Sequence, residues 1–196
     1  MDRDFVLSVM ASPPPLTTDR LILRKLGVND TKDMFEYSSD PDVTRYLTWK
    51  PHPNIRHTNR YLKGIDAAYA DNRCFDWAIT IKNTGKMIGT CGYTSFDFEL
   101  DSVEVGYVLN PRYEGYGLMT EALGCVLNYA FGHLKARRAE GRFMVGNEKS
   151  RAVMERCGMK FETVRNGALY HDGRYIDVGL CSVLAEDYMN REVAKS

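Results

Sequence analysis

The apolar positions between residues 118 and 131 fall into two adjacent rows, Leu118, Ala122, Val126 and Ala130 beside Met119, Leu123, Leu127 and Phe131. A repeat of this kind predicts a helix with a broad apolar face that packs on a sheet. Upstream the period shortens. Residues 21–26 read as a first strand, and Asn29-Asp30 cap a helix running toward residue 39, broken by Asp40-Pro41-Asp42. A Pro- and His-rich stretch covers 46–57, and a helix follows over 58–71. Residues 75–81 and 86–94 form two strands joined by the turn Lys82-Asn83-Thr84-Gly85, and 102–109 completes an antiparallel meander. After the long helix come a strand over 139–145, a helix over 148–157, and strands over 160–164 and 175–184 joined by a loop over 166–174. A meander feeding a β–α–β–α–β unit predicts an α/β fold with a mixed central sheet flanked by helices. No repeat or long linker divides the chain. Residues 1–15 read as an N-terminal arm ended by Pro13-Pro14-Pro15, and 16–196 as a single domain.

Composition narrows the function classes without choosing one. Lys plus Arg equals Asp plus Glu at 26 each, so the chain is formally neutral and lacks the cation surplus of a nucleic-acid binder. A hydrophobic share of 44% and a charged share of 27% suit an ordinary globular domain with a real core. No apolar run approaches the ~20 residues that span a bilayer. The run 5–11 is short and its flank is not basic, which argues against a signal peptide. The five cysteines form no C-x-x-C pair and have no His cluster beside them. They read as reduced thiols of a cytoplasmic protein, with no metal site.

The informative segment is NPRYEGYGLMTEA over 110–122, between the third meander strand and the long helix. Its core is Arg112-x-x-Gly115-x-Gly117. Unpaired amides at a helix start suit a phosphate, and glycines let a ligand approach the backbone. The same pattern also fits a tight turn that needs glycine for conformation alone. A P-loop is a poor match, since no Lys follows Gly117, and a dinucleotide fingerprint would need glycine where Thr120 stands.

A second constellation, Asn147-x-x-Ser150 opening a helix that ends at Cys157-Gly158-Met159, adds specificity. With Arg112-x-x-Gly115-x-Gly117, Thr120-Glu121-Ala122, the opening run Leu16 to Arg24, Val43 to Trp49 and Val103 to Leu109, the chain resembles the GNAT N-acetyltransferases of the RimJ/RimL type over about 16–190. That resemblance implies the GNAT fold and transfer of an acetyl group from acetyl-CoA to a primary amine, on a protein N-terminus or a small molecule, by direct attack. It implies a cofactor site made of the strand end Tyr107, Val108 and Leu109 for the pantetheine arm. The pyrophosphate would rest on the turn Arg112, Gly115, Tyr116, Gly117, Leu118, Met119 and Thr120, and Asn147 would contact the arm.

The chemistry asks for a base to take the amine proton, a donor to the developing oxyanion, and a proton for the departing thiolate. Glu104 is the candidate base and a strand-face ion pair its structural alternative. Many relatives place a Tyr for the thiolate where this chain has Met154, and the resemblance gives that role to Ser150. Two positions depart from the family pattern: Glu114 brings a negative charge beside the expected pyrophosphate, and Tyr116 replaces a basic residue between the glycines. The basic run over 135–142 could meet a ribose phosphate or simply be solvated. Tyr46, Trp49 and Tyr93 are the acceptor-wall candidates, with Leu47, His52, His57, Phe96 and the Tyr170-His171-Asp172 segment behind them. Acetyl-CoA and an amine are the expected partners, with neither nucleic acid nor membrane, and a homodimer is compatible with the family. The competing class is a non-catalytic acyl-CoA sensor on the same fold.

Overall fold

In the computed structural model, which describes residues 1–194, eight strands form one sheet in the order β1-β2-β3-β4-β5-β6-β8-β7. The strands are β1 (Leu16–Thr17), β2 (Leu21–Arg24), β3 (Asp76–Ile81), β4 (Met87–Asp97), β5 (Ser102–Leu109), β6 (Arg138–Met144), β7 (Lys160–His171) and β8 (Arg174–Leu184). Every neighbouring pair is antiparallel except β5 and β6, which run parallel because α6 (Leu118–Gly132) crosses between them. The mixed sheet with flanking helices is the architecture that the periodicity predicts.

The sheet buries both faces in its central strands. On one face Trp77, Ile79, Cys91, Tyr93, Val103 and Val105 meet the apolar rows of α6. On the other, Ala78 and Met87 are covered by Tyr37, Leu62, Ile65 and Tyr69, which come from α2 (Thr31–Ser38), α4 (Ile55–Lys63) and α5 (Ile65–Ala70). Residues 1–15 join the α6 face: α1 (Arg3–Met10) buries Val6 and Met10 fully, and Trp77 Nε1 donates to Pro14 O at 2.8 Å.

Several boundaries differ from expectation for local reasons. The helix expected over 58–71 is two, broken at Gly64, and it starts earlier because the Asn54 side chain accepts from His57 N at 3.0 Å. Asp40-Pro41 does not only end α2. It also caps the short α3 (Pro41–Thr44), with Asp40 accepting from Asp42 N and Pro at its first position. The loop expected over 166–174 is mostly strand. Asn166-Gly167 looks like a turn but is a bulge in β7, where Gly167 N donates to Asp177 Oδ1 at 2.8 Å. The real turn is Asp172-Gly173, both at positive φ, as a two-residue hairpin requires. Two further elements, α7 (Glu148–Arg156) and α8 (Ala185–Val193), pack near the β6, β7 and β8 strands.

Candidate active site

The site begins where the β5–β6 ladder stops. Ser102 to Val105 pair with Arg138 to Gly141, and beyond that row β5 continues to Leu109 and β6 to Met144 without meeting. Gly106, Tyr107, Val108 and Leu109 therefore bond to β4 on one side and offer an open backbone edge on the other. A bulge in β4 lies beside this point, between the rows Tyr93–Val105 and Ser95–Glu104, and its added twist turns the strands apart.

At the end of β5, Asn110 Oδ1 accepts from Arg112 N at 3.1 Å, while its buried Nδ2 has no acceptor among the described residues. Gly115 (φ 83°) and Gly117 (φ 73°) lead into α6 in a conformation that a side chain would strain. The Glu121 amide donates to Gly117 O at 3.0 Å. Among the described residues, no acceptor meets the amides of Gly115, Tyr116, Gly117, Leu118, Met119 and Thr120. With the positive end of the helix dipole behind them, these groups form an anion cradle.

Residues outside the expected motif brace that cradle. Arg20 donates to Tyr116 O at 2.9 Å and to Glu121 at 2.7 Å, and Thr18 Oγ1 donates to the same carboxylate at 2.5 Å. Burial works to raise the Glu121 carboxyl, but these hydrogen bonds outweigh it and hold the group below its ordinary value. Arg112 is 75% exposed and pairs with Glu36, while Glu114 accepts from Lys149 of α7 at 2.5 Å. The charge of Glu114 is thus offset by a residue 35 positions away. No local pattern announces Arg20 or Lys149, because each acts through a partner brought near only by the fold. The basic run over 135–142 enters β6 at the Ser102 end of β5, the end away from the cradle.

Across the opening, the Tyr107 phenol donates to Ser150 O at 2.8 Å and lies 3.0 Å from Ser150 Oγ. Burial pushes its pKa up, so the ring carries a neutral hydroxyl. Its one proton serves the carbonyl, which leaves Ser150 Oγ as the donor in the second contact. Asn147 caps α7, accepting from Ser150 N at 3.3 Å. Met154 is 1% exposed and fills the hollow over Gly141, where an added Cβ would lie 2.6 Å from its sulfur.

Glu104 occupies the opposite face of β5 from Val103 and Val105. Arg142 Nε stands 3.4 Å from its Oε2, so the ion pair weighed for this residue is present. The carboxylate borders a cleft of about 740 Å³ that Phe96, Glu140 and Arg165 also line. Opposite, the Tyr46 hydroxyl abuts the β6–α7 turn, 3.3 Å from where a Cβ of Gly146 would be. The Trp49 ring lies tilted against His52 at 5.5 Å, and His52 meets His57 at 4.8 Å and Tyr61 at 6.0 Å. Burial and the neighbouring His57 lower the His52 pKa. Lys50 reaches Asp172 at 3.4 Å, which ties this segment to the β7–β8 turn.

Tyr93 does not join the acceptor wall. It is 2% exposed, faces α6, donates to Val126 O at 2.8 Å and packs edge-on against Trp77. Strand alternation puts it on the Cys91 side, so it is a core residue with no surface for a ligand.

Comparison with known proteins bears on this site. A family model described as an acetyltransferase (GNAT) domain matches residues 20–160. The chain is 30% identical over 173 residues to N-acetyltransferase p20 of Bacillus licheniformis, a protein named as uncharacterized, covering 88% of this chain and 97% of the relative. It is 23% identical over 181 residues to the ribosomal protein uS5-alanine N-acetyltransferase of Escherichia coli strain K12, covering 88% and 92%. Among solved structures, the microcin C7 self-immunity acetyltransferase MccE, in complex with acetyl-CoA and AMP, shares the fold with a TM-score of 0.76. That match has 20% identity and covers 90% of this chain and 99% of the other.

Proposed function

We propose, from the premise that this chain belongs to the GNAT acetyltransferase family, that it moves an acetyl group from acetyl-CoA to a primary amine by direct attack. The chain is an acyltransferase of the N-acetyltransferase kind. One observation carries the mechanistic reading: the ladder between β5 and β6 ends at Val105–Gly141, with Glu104 at the last rows and Tyr107–Ser150 spanning the opening. A carboxylate and a hydroxyl on two sides of one gap favour turnover over binding alone.

The residues fit acetyl-CoA. The open edge of Tyr107, Val108 and Leu109 offers backbone groups to an amide-bearing arm, and the amides of Gly115 to Thr120 offer donors to its phosphates. Arg112 adds a cation at the rim, and Asn147 stands where the arm would leave. Acetyl-CoA supplies an activated thioester; the protein supplies position and proton handling. Glu104 takes the proton from the incoming ammonium, which competes with Arg142 for the carboxylate. A backbone N–H of the β5 edge stabilises the charge that develops on the carbonyl oxygen. Ser150 turns its hydroxyl proton from Tyr107 toward the sulfur. A thiolate with pKa near 8.5 needs only modest help, so this step matters less than proton removal from the amine. Tyr46 and Trp49 bound the acceptor side.

A screen of amines and peptide N-termini, reading free CoA, tests the assignment. Glu104→Gln is expected to lower kcat/KM by about 100-fold and Ser150→Ala by about 10-fold, with acetyl-CoA affinity unchanged in both. Full rates in both variants would overturn it.

A further inference from the structure

Glu104 shares its cleft of about 740 Å³ with Arg142 and Arg165, and register puts all three side chains on one face of the sheet. Paired residues project to the same face, and neighbours along a strand alternate. Glu104 pairs with Glu140, so Glu140, Arg142 and Met144 share its face. Met144 pairs with Val178, and Val178 with Arg165 across the next ladder. Arg142 is the first residue of β6 past the Val105–Gly141 row, where the two strands part. Arg165 stands two strands further on, about 10 Å across the sheet.

The charges of the cleft are segregated. Toward the β4–β5 turn, Asp97 Oδ1 accepts from the amides of Glu99 and Leu100 at 3.0 and 2.9 Å, and Glu99 belongs to the turn itself. Arg3 lies at that end too, over the Phe98 ring. Glu140, level with Glu104, accepts from Arg138 at 2.7 Å. At the splayed end the charged lining is Arg142 and Arg165. Arg142 has Glu104 as its ion-pair partner, and Arg165 has neither an ion pair nor a hydrogen bond among the described residues. An ammonium that reaches Glu104 takes the place of Arg142. An acceptor lying over the cleft then parts that guanidinium from its carboxylate and from water, which is costly unless the acceptor brings an anion of its own. Leu180, paired with Arg142, and Met144 are both buried, and apolar neighbours strengthen such a pair.

We propose that Arg142 and Arg165 form an anion subsite that selects acceptors carrying a carboxylate about 4–8 Å from the reacting nitrogen, the reach of one ion pair beyond Glu104. The proposal rests on the acetyltransferase reading above and names the acceptor class within it. In a peptide the carboxylate is the side chain of an acidic residue at the first or second position; in a small molecule it is that of an amino acid.

The test measures binding separately from turnover. Ala-Asp-Ala-amide and Ala-Asn-Ala-amide are titrated calorimetrically into the full chain saturated with CoA, which has no acetyl group to transfer. β-Alanine and propylamine form a second pair, so that the arms tell a peptide from a small molecule. The acid is expected to bind at least 10-fold tighter than its neutral match in one pair or both. Arg142→Gln and Arg165→Gln should each bring the favoured pair within about threefold, and Arg165→Glu should turn the peptide preference toward Ala-Lys-Ala-amide. Each readout is a ratio within one variant, so a loss of folded protein cancels. Equal affinities or no binding in both pairs, or an advantage that survives both Gln substitutions, overturn the subsite. Free-CoA release from acetyl-CoA with the same compounds is read in parallel. Discrimination in binding without release sustains the subsite and counts against the acetyl-transfer reading alone.

Discussion

Tyr107 and Asp76 differ in what their surroundings ask of a side chain. Tyr107 uses its proton on Ser150 O and so fixes the direction of the Ser150 hydroxyl. Asp76 has no such partner, and that gives it a measurable effect on stability. An acid whose pKa is raised on folding holds its proton more firmly folded than unfolded. Its favourable share is therefore complete below the unfolded value near 4 and is lost as pH rises through about 7. Asp76→Asn removes that loss. Thermal unfolding should show the variant melting roughly 3–8 °C above the unaltered protein at pH 8 and level with it near pH 4. A lower melting point at pH 8 would mean that the carboxylate has a stabilising partner. At this scale the sequence was partly legible. Glu104, Ser150, Asn147 and the glycines of the turn stand in local patterns that the resemblance carries. Arg20, Lys149 and the Tyr107–Ser150 contact depend on residues 96, 35 and 43 positions apart, and no window of sequence joins them. The face that Tyr93 takes is hidden for a related reason. An aromatic on a strand declares its face only once its neighbours' faces are known.

The elements with strong periodicity or clear caps were the legible ones: α6, β5 and the start of α7 lie where the pattern put them. Those that failed carried competing local signals. Asn166-Gly167 has turn chemistry but sits inside β7, because Asp177 across the hairpin satisfies its amide. The first fifteen residues looked like an arm, since a proline run separates them from the first strand. Yet α1 inserts Val6 and Met10 into the cluster that contains Trp77 and Leu127. Met10→Ala should therefore cost about 2–4 kcal/mol in chemical denaturation, as a core truncation does, whereas an arm residue would cost almost nothing. The m-value should stay unchanged if α1 unfolds together with the sheet.

For the whole molecule, neutrality acquires a structural meaning. The cations nearest the anion cradle, Arg20, Arg112 and Lys149, are each matched by an acid: Glu121, Glu36 and Glu114. A negatively charged ligand would then depend mainly on backbone amides and the helix dipole, which act over short range and are weakly screened. Raising NaCl from 50 to 300 mM should weaken CoA binding by no more than about threefold, and Glu114→Gln, which frees Lys149, should steepen that dependence. A loss of 30-fold in the unaltered protein would show that long-range attraction dominates. The fold class was legible because it follows from the order of strands and helices. The open edge of β5 was not, because the point where its ladder with β6 stops is a register between Val105 and Gly141, 36 positions apart. The sheet ends on β7, a twelve-residue strand that is largely exposed and pairs only with β8. A straight edge of that length is a template on which other chains can add and aggregate. The pairing of β7 shifts twice, between Phe161 and Thr163 and between Arg165 and Leu169. An incoming strand would find only short stretches in register, interrupted by Lys160, Glu162 and Arg165. The irregularity that hid the second half of this strand in the sequence also leaves an added strand no continuous register to follow.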